Sequence, residues 1–172
     1  MFTTDTSPHL GAIEMADIVY LSGITLAILT QDARDGLWSA LAALRASGLK
    51  VAFDSNYRSK LWDVTTTARR EIARFWEITD IALPSYEDEA DLFGDKSTLG
   101  IVSRIVAAGA QSGALKCGNA GPVLIPLSDD IEYFAKADSV VDTTGAGDSF
   151  NGAYLAAIAA DKTQTVAAME AH

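Results

Sequence analysis

The chain has 172 residues, 49% of them hydrophobic, enough to bury a core without a staple, and its single cysteine, Cys117, excludes an intramolecular disulfide. With 13 basic against 23 acidic residues the formal charge is −10, the wrong sign for an unaided phosphate-backbone binder, so nucleic acid is not an expected partner. No apolar run approaches the ~20 residues that span a bilayer and no secretory pattern opens the chain, so the expectation is a cytoplasmic protein without a membrane contact.

In chain order, "ADIVYLSGITLAIL" reads as a buried strand over residues 18–21 ended by Ser22 and Gly23. "DARDGLWSALAALRASG" follows with helical spacing through Leu37, Leu41 and Leu44, closed by Gly48. "LKVAFDSN" is a second short apolar strand, and "TTTARREIARFWEI" places Ile72, Phe75 and Trp76 at helical spacing. "DIALPS" is a strand, "YEDEADLFG" and "TLGIVSRIVAAG" are helices, and "GALKCG" is a strand again. Short, wholly apolar strands alternating with helices indicate an α/β protein with a mostly parallel sheet covered on both faces. Ligands of such sheets bind at the carboxyl ends of the strands, where this chain carries Ser22, residues 54–58, Ser85 and residues 116–118. After "KCGNAG" the pattern changes: Asn119, Ala120 and Gly121 join two short runs, and "LIPLSDDIEYFAK" reads as a hairpin edge.

The densest stretch is "VVDTTGAGDSF", residues 140–150. Val140 and Val141 end a strand and an alanine-rich helix follows Ser149, so residues 145–148 lie at a helix N-terminus. There the unpaired backbone N–H groups and the positive end of the helix dipole attract an anion, and three tiny residues let it approach. The same dipole favours an ionised Asp148, able to take a proton from a nearby hydroxyl. Donors for phosphate charge beside a base for an alcohol suit phosphoryl transfer. A glycine turn with Asp148 only complementing the dipole explains the same residues.

"DTTGAGDSF" resembles the D-T-x-G-A-G-D motif of the ribokinase-like (PfkB) sugar kinases. The resemblance implies a three-layer ribokinase-like fold, ATP and Mg²⁺ as cofactors, Asp148 as catalytic base and substrate contact, and Gly145, Ala146 and Gly147 as an anion hole that, with Thr144, also touches ATP. "FDSNYRSKLW", residues 53–62, resembles the F-D-x-N-x-R-x-x-L-W segment of the 2-keto-3-deoxygluconate kinases of this family. That implies Asn56, Tyr57 and Arg58 near the nucleotide and Arg58 on the substrate, where a guanidinium fork suits the carboxylate of a keto acid. The alternative is a loop arginine paired to a surface acid such as Asp54 or Asp63. The family's N-x-x-E motif aligns here with Ser85 and Asp88, a departure that leaves Asp88 a metal contact through water and Ser85 near ATP. Lys116, Gly118 and Gly121 form a K-x-G-x-x-G pattern resembling the segment beside the ATP phosphates and ribose; an ordinary hairpin with a surface lysine is the competing reading.

Trp38, Trp62 and Trp76 read as core, His9 and His172 lack companion ligands, and Cys117 reads as a small buried hydrophobe rather than a thiol activated by its neighbouring lysine. By resemblance residues 1–172 form a partial kinase domain, the nucleotide-binding C-terminal half, lacking the N-terminal part and the lid. An exposed sheet edge would then favour pairing with another chain, and a homo-oligomer is expected of the full-length enzyme. The implied activity is transfer of the ATP γ-phosphate to the terminal hydroxyl of 2-keto-3-deoxygluconate. The alternatives are a fructokinase or ribokinase-type enzyme for a neutral sugar, and a non-catalytic nucleotide-binding module.

Overall fold

The computed structural model describes residues 13, 15–128 and 145–172. Its elements run β1 (Ile18–Ser22), α1 (Gly23–Ala27), α2 (Gln31–Ala46), β2 (Lys50–Asp54), a 3-10 turn (Ser59–Leu61), α3 (Thr65–Trp76), β3 (Ile81–Ala82), α4 (Tyr86–Phe93), α5 (Thr98–Ala108), β4 (Ser112–Leu115), a 3-10 turn (Gly118–Ala120), β5 (Val123–Leu124), α6 (Ala146–Ala159) and α7 (Gln164–Ala171). The five strands form one sheet in the order β1-β2-β3-β4-β5. β1 to β4 are parallel and β5 runs antiparallel to β4, with Ala114 opposite Leu124. This is the three-layer α/β fold expected from the alternation of elements.

Local chemistry accounts for most boundaries. Thr30 caps α2 by accepting the Ala33 amide at 3.3 Å, and Ser97 caps α5 by accepting the Gly100 amide at 3.1 Å. α2 ends before Gly48, whose φ of 108° is in the region that favours glycine. On α3, Ala68, Ile72, Phe75 and Trp76 are buried, one face at helical spacing.

The side chains of each strand alternate between two cores. Val51, Phe53, Ala82 and Leu115 pack against α1 to α5, joined by Leu41, Ile72, Phe75, Trp76, Leu92, Ile101 and Ile105. Ala52, Ile81, Leu83, Ala114 and Leu124 face the other way, against Phe150, Tyr154 and Ala157 of α6 and Ala167 and Ala168 of α7. Trp62 and Trp76 are buried and Trp38 packs against the same core, as expected.

α1 is not legible in the sequence, because Gly-Ile-Thr-Leu-Ala continues the apolar run of β1. The turn into it depends on a tertiary contact: a Cβ at Gly23 would lie 1.9 Å from the Ser55 carbonyl oxygen. Glycine there lets the β1–α1 junction lie against the end of β2. The hairpin reading holds for β4 and β5, whereas residues 129–136 of the expected edge, and the strand expected to end at Val140 and Val141, lie outside the described residues.

Candidate functional site

Parallel register brings the carboxyl ends of the strands to one side of the sheet. Ser22 pairs with Asp54, Ala52 with Ile81 and Ile81 with Ser112, and one further bridge links Ser85 to Lys116. The start of α6 arrives at this edge. Gly145, with a φ of 77°, precedes the helix, and the Ser149 amide donates to its carbonyl at 2.8 Å, the first bond of α6. Residues 145–149 are exposed, on the side of the sheet where the carboxyl ends of the strands lie. Asp148 lies in that first turn, as the sequence suggests. Thr144 lies outside the described residues.

Beneath the turn is a buried polar network. The Lys116 Nζ donates to Asp54 Oδ2 at 2.6 Å and to Asn151 Oδ1 at 2.9 Å. Asn151 Nδ2 donates to Asp54 Oδ2 at 2.7 Å and to the Tyr20 hydroxyl oxygen at 3.0 Å. The Lys116 and Asp54 side chains are only 13% and 4% exposed, so Lys116 is no surface lysine of an ordinary hairpin. A Cβ at Gly147 would lie 3.8 Å from the Lys116 Nζ, so the ammonium sits directly against the small-residue turn. Burial, then the Asp54 charge, pushes the Tyr20 phenol up to about 12, while the hydrogen bond from Asn151 opposes them. The phenol therefore stays neutral at ordinary pH.

The loop after β2 holds the second cluster. The Asn56 amide donates to Asp54 Oδ1 at 3.0 Å, a turn that holds Asn56 at a φ of 30°. The Asn56 and Tyr57 side chains turn inward, whereas Arg58 is about half exposed (53%). Arg58 Nη1 donates to the Tyr57 carbonyl at 2.8 Å and to Asp88 Oδ1 at 3.2 Å. Its acid partner is thus Asp88, not Asp54 or Asp63. The Ser85 hydroxyl donates to Asp88 Oδ2 at 2.7 Å, and burial holds the Asp88 carboxyl above the usual carboxylate range despite Ser85 and Arg58. Gly118 opens the 3-10 turn after Lys116 and Gly121 follows it, with φ of 51° and 83°. The Cys117 thiol is pushed up to about 11 by burial and the Glu87 charge, which matches the inert reading.

The structure therefore gathers Lys116, Gly147 and the first turn of α6 at one place and Arg58, Ser85 and Asp88 at another. Asp54 links them, bonding Lys116 on one oxygen and the Asn56 amide on the other. Tyr20 and Asn151 are absent from the sequence-derived set. The signal for Asn151 is its place: three residues after Asp148, on the same helix face, polar within an alanine-rich apolar helix.

The family model for pfkB family carbohydrate kinases matches residues 2–171. The chain belongs to the pfkB family of carbohydrate kinases. This pfkB chain is 36% identical over 154 residues to a 2-dehydro-3-deoxygluconokinase of Haemophilus influenzae, covering 88% of the chain and 49% of the relative. It is 39% identical over 144 residues to the 2-dehydro-3-deoxygluconokinase of Dickeya dadantii, covering 81% and 46%. The structure of a fructokinase from Vibrio cholerae O395, in a form with fructose, ADP and calcium ion bound, superposes with a TM-score of 0.77 at 26% identity, covering 94% of the pfkB chain and 54% of the fructokinase. The pfkB chain spans about half the length of the curated relatives it matches. Among the described residues, no helix is long and apolar enough to cross a membrane.

Proposed function

We propose that residues 1–172 are the nucleotide-binding half of a cytoplasmic 2-keto-3-deoxygluconate kinase, transferring the ATP γ-phosphate to the terminal hydroxyl of its sugar acid. The observation that carries this reading is the meeting of exposed first-turn amides, Asp148 and a buried lysine at the carboxyl edge of a parallel sheet. Relatives called 2-dehydro-3-deoxygluconokinase support the substrate, the same 2-keto acid under another name.

The residues present fit a nucleotide phosphate. Among the described residues nothing lies within 4 Å of a Cβ built at Gly145, so the turn is open to an anion, and the Lys116 ammonium stands against Gly147. When bound, ATP supplies the phosphoryl group and Mg²⁺ neutralises its developing charge. Asp88 would hold the metal through water, because both its oxygens are already engaged by Arg58 and Ser85. That fits an ion that keeps several waters and takes few protein ligands, and among the described residues no group of three or more metal-binding side chains forms a cage.

Asp148 takes the proton of the attacking hydroxyl, while the Gly145, Ala146 and Gly147 turn and Lys116 face the phosphoryl oxygens. Ser85, Gly118, Gly121 and Thr144 complete the nucleotide side, with the Asn56–Arg58 loop reaching toward it. Arg58 meets the substrate carboxylate with the part of its guanidinium that its Nη1 bonds leave free. The whole enzyme forms a homo-oligomer. The test is phosphorylation of 2-keto-3-deoxygluconate by ATP: Asp148→Asn lowers turnover about 10²–10⁴-fold, and unchanged turnover refutes the assignment.

The likeness to a fructokinase keeps a neutral sugar as the second reading. Arg58→Ala separates the two, since a large loss with the keto acid and little with fructose supports the first.

A further inference from the structure

Asn151 lies within the same helix as Asp148 but is buried, only 1% exposed, and all its polar capacity is engaged. Its Oδ1 accepts from Lys116, and its two Nδ2 hydrogens go to Asp54 and to the Tyr20 hydroxyl. The neighbours leave only this orientation of the amide, because an ammonium needs an acceptor and a carboxylate needs a donor. The three partners come from three separate strands: Tyr20 from the middle of β1, Asp54 from the carboxyl end of β2, and Lys116 from just beyond β4. Asn151 sits one turn beyond Asp148, so this single amide ties the exposed first turn of α6 to all three. The other side chains of α6 that meet the sheet, Phe150, Tyr154 and Ala157, are apolar contacts with Ala52, Ile81, Leu83 and Ala114. Apolar packing leaves rotation and sliding of a helix end less constrained than three directed hydrogen bonds do.

We propose that Asn151 is a positioning residue, which locks the start of α6, and with it Asp148 and the Gly145–Gly147 turn, onto Tyr20, Asp54 and Lys116 of the sheet. The proposal deepens the kinase reading and rests on it for its catalytic consequence. The placement of the helix start is a property of the chain with or without turnover.

Two substitutions separate hydrogen-bond geometry from bulk. Asn151→Leu keeps the volume and removes every polar contact. Asn151→Asp keeps the shape but, when ionised, sets a second carboxylate against Asp54. When protonated, it restores an acceptor for Lys116 and an O–H donor for Asp54. The charged and titratable groups facing this position are Tyr20, Asp54 and Lys116, with Asp148 on α6 itself and Asp88 of α4 beyond Lys116 and Asp54. Burial and the Asp54 charge raise the pKa of the new carboxyl against the opposing Lys116 ammonium, so its protonated form is reached in mildly acidic buffer.

The experiment is amide hydrogen exchange on the 172-residue chain, read in peptides covering residues 145–160 and corrected for the intrinsic pH dependence of exchange. Asn151→Leu should raise exchange of the α6 start about tenfold or more, while peptides from α2, α3 and α5 stay unchanged. Asn151→Asp should match it near pH 8 and return toward the unaltered chain near pH 5. If the leucine variant fails to fold, the pH comparison within the aspartate variant decides. Equal protection of the α6 start at both pH values in Asn151→Asp, or no change in a folded Asn151→Leu, overturns the proposal. In the phosphorylation assay of the whole enzyme, both variants should lower kcat, Asn151→Asp recovering in acid. An unaltered whole enzyme without turnover counts against the kinase reading, and the exchange data still judge the positioning.

Discussion

Replacing Lys116 by methionine removes the cation from a pair whose two side chains are 13% and 4% exposed, leaving the Asp54 carboxylate buried with Asn151 and the Asn56 amide as donors. Breaking such a pair from one side costs about 3–5 kcal/mol, because the remaining charge cannot recover its hydration. With an m-value of about 2 kcal/mol/M in urea, a 4 kcal/mol loss moves the unfolding midpoint down by about 2 M. Fluorescence of the buried Trp62 and Trp76 reports the transition. Asp54→Asn alone should cost a similar amount, by leaving the ammonium unpaired. Lys116→Met with Asp54→Asn should recover much of the loss, since neither buried charge then remains, giving a coupling of at least about 2 kcal/mol in the double-mutant cycle. Single variants that each cost under about 1 kcal/mol, or costs that add without coupling, would refute the view that this pair is desolvated and mutually dependent.

Further outcomes follow from other sites. Gly23→Ala should destabilise by roughly 3 kcal/mol in urea unfolding, because its Cβ would stand 1.9 Å from the Ser55 carbonyl oxygen and the backbone would have to part by roughly 1.5 Å. A neutral effect would mean the β1–α1 junction is not packed on the end of β2. Cys117, with its thiol at about 11, should be about one part in 1,000 thiolate at pH 8 and react slowly with iodoacetamide, about tenfold faster per pH unit up to pH 10. A rate at pH 8 equal to that of an unfolded peptide would contradict the burial. Asp88→Asn tests a carboxyl raised by burial. A raised carboxyl binds its proton better folded than unfolded, so its contribution is full below the unfolded pKa and lost as pH rises through the folded one. The asparagine variant should therefore gain stability relative to the unaltered chain at pH 7, with the gain fading below about pH 4. A gain that grows in acid would reverse the sign of the reasoning.

Much of the fold was legible because its causes are local. α2, β2, α3, α5 and β4 follow from apolar period and from caps such as Thr30 and Ser97, each acting over three or four residues. Asp148 and the Gly145–Gly147 turn were legible for the same reason, being one contiguous stretch at a helix start. α1 was not legible, because its apolar residues continue those of β1 and only the approach of Ser55 to Gly23 bends the chain. The acid beside Arg58 was not legible either: Asp54 lies four residues away in sequence but is taken by Lys116 and Asn151, leaving Asp88, thirty residues on, to meet the guanidinium.

By itself the sequence determined the order of helices and strands, the parallel character of the sheet, and membership of the pfkB family. Those properties depend on periodicity, on turn and cap residues, and on a contiguous motif, all written within short windows. Only the tertiary structure decided that Tyr20, Asp54, Lys116 and Asn151 form one polar network, buried at Asp54 and Asn151, since their contacts span 35 to 131 positions along the chain. Charged and polar groups desolvated together must find one another whatever their separation in sequence, and that pairing follows from how strands and helix pack.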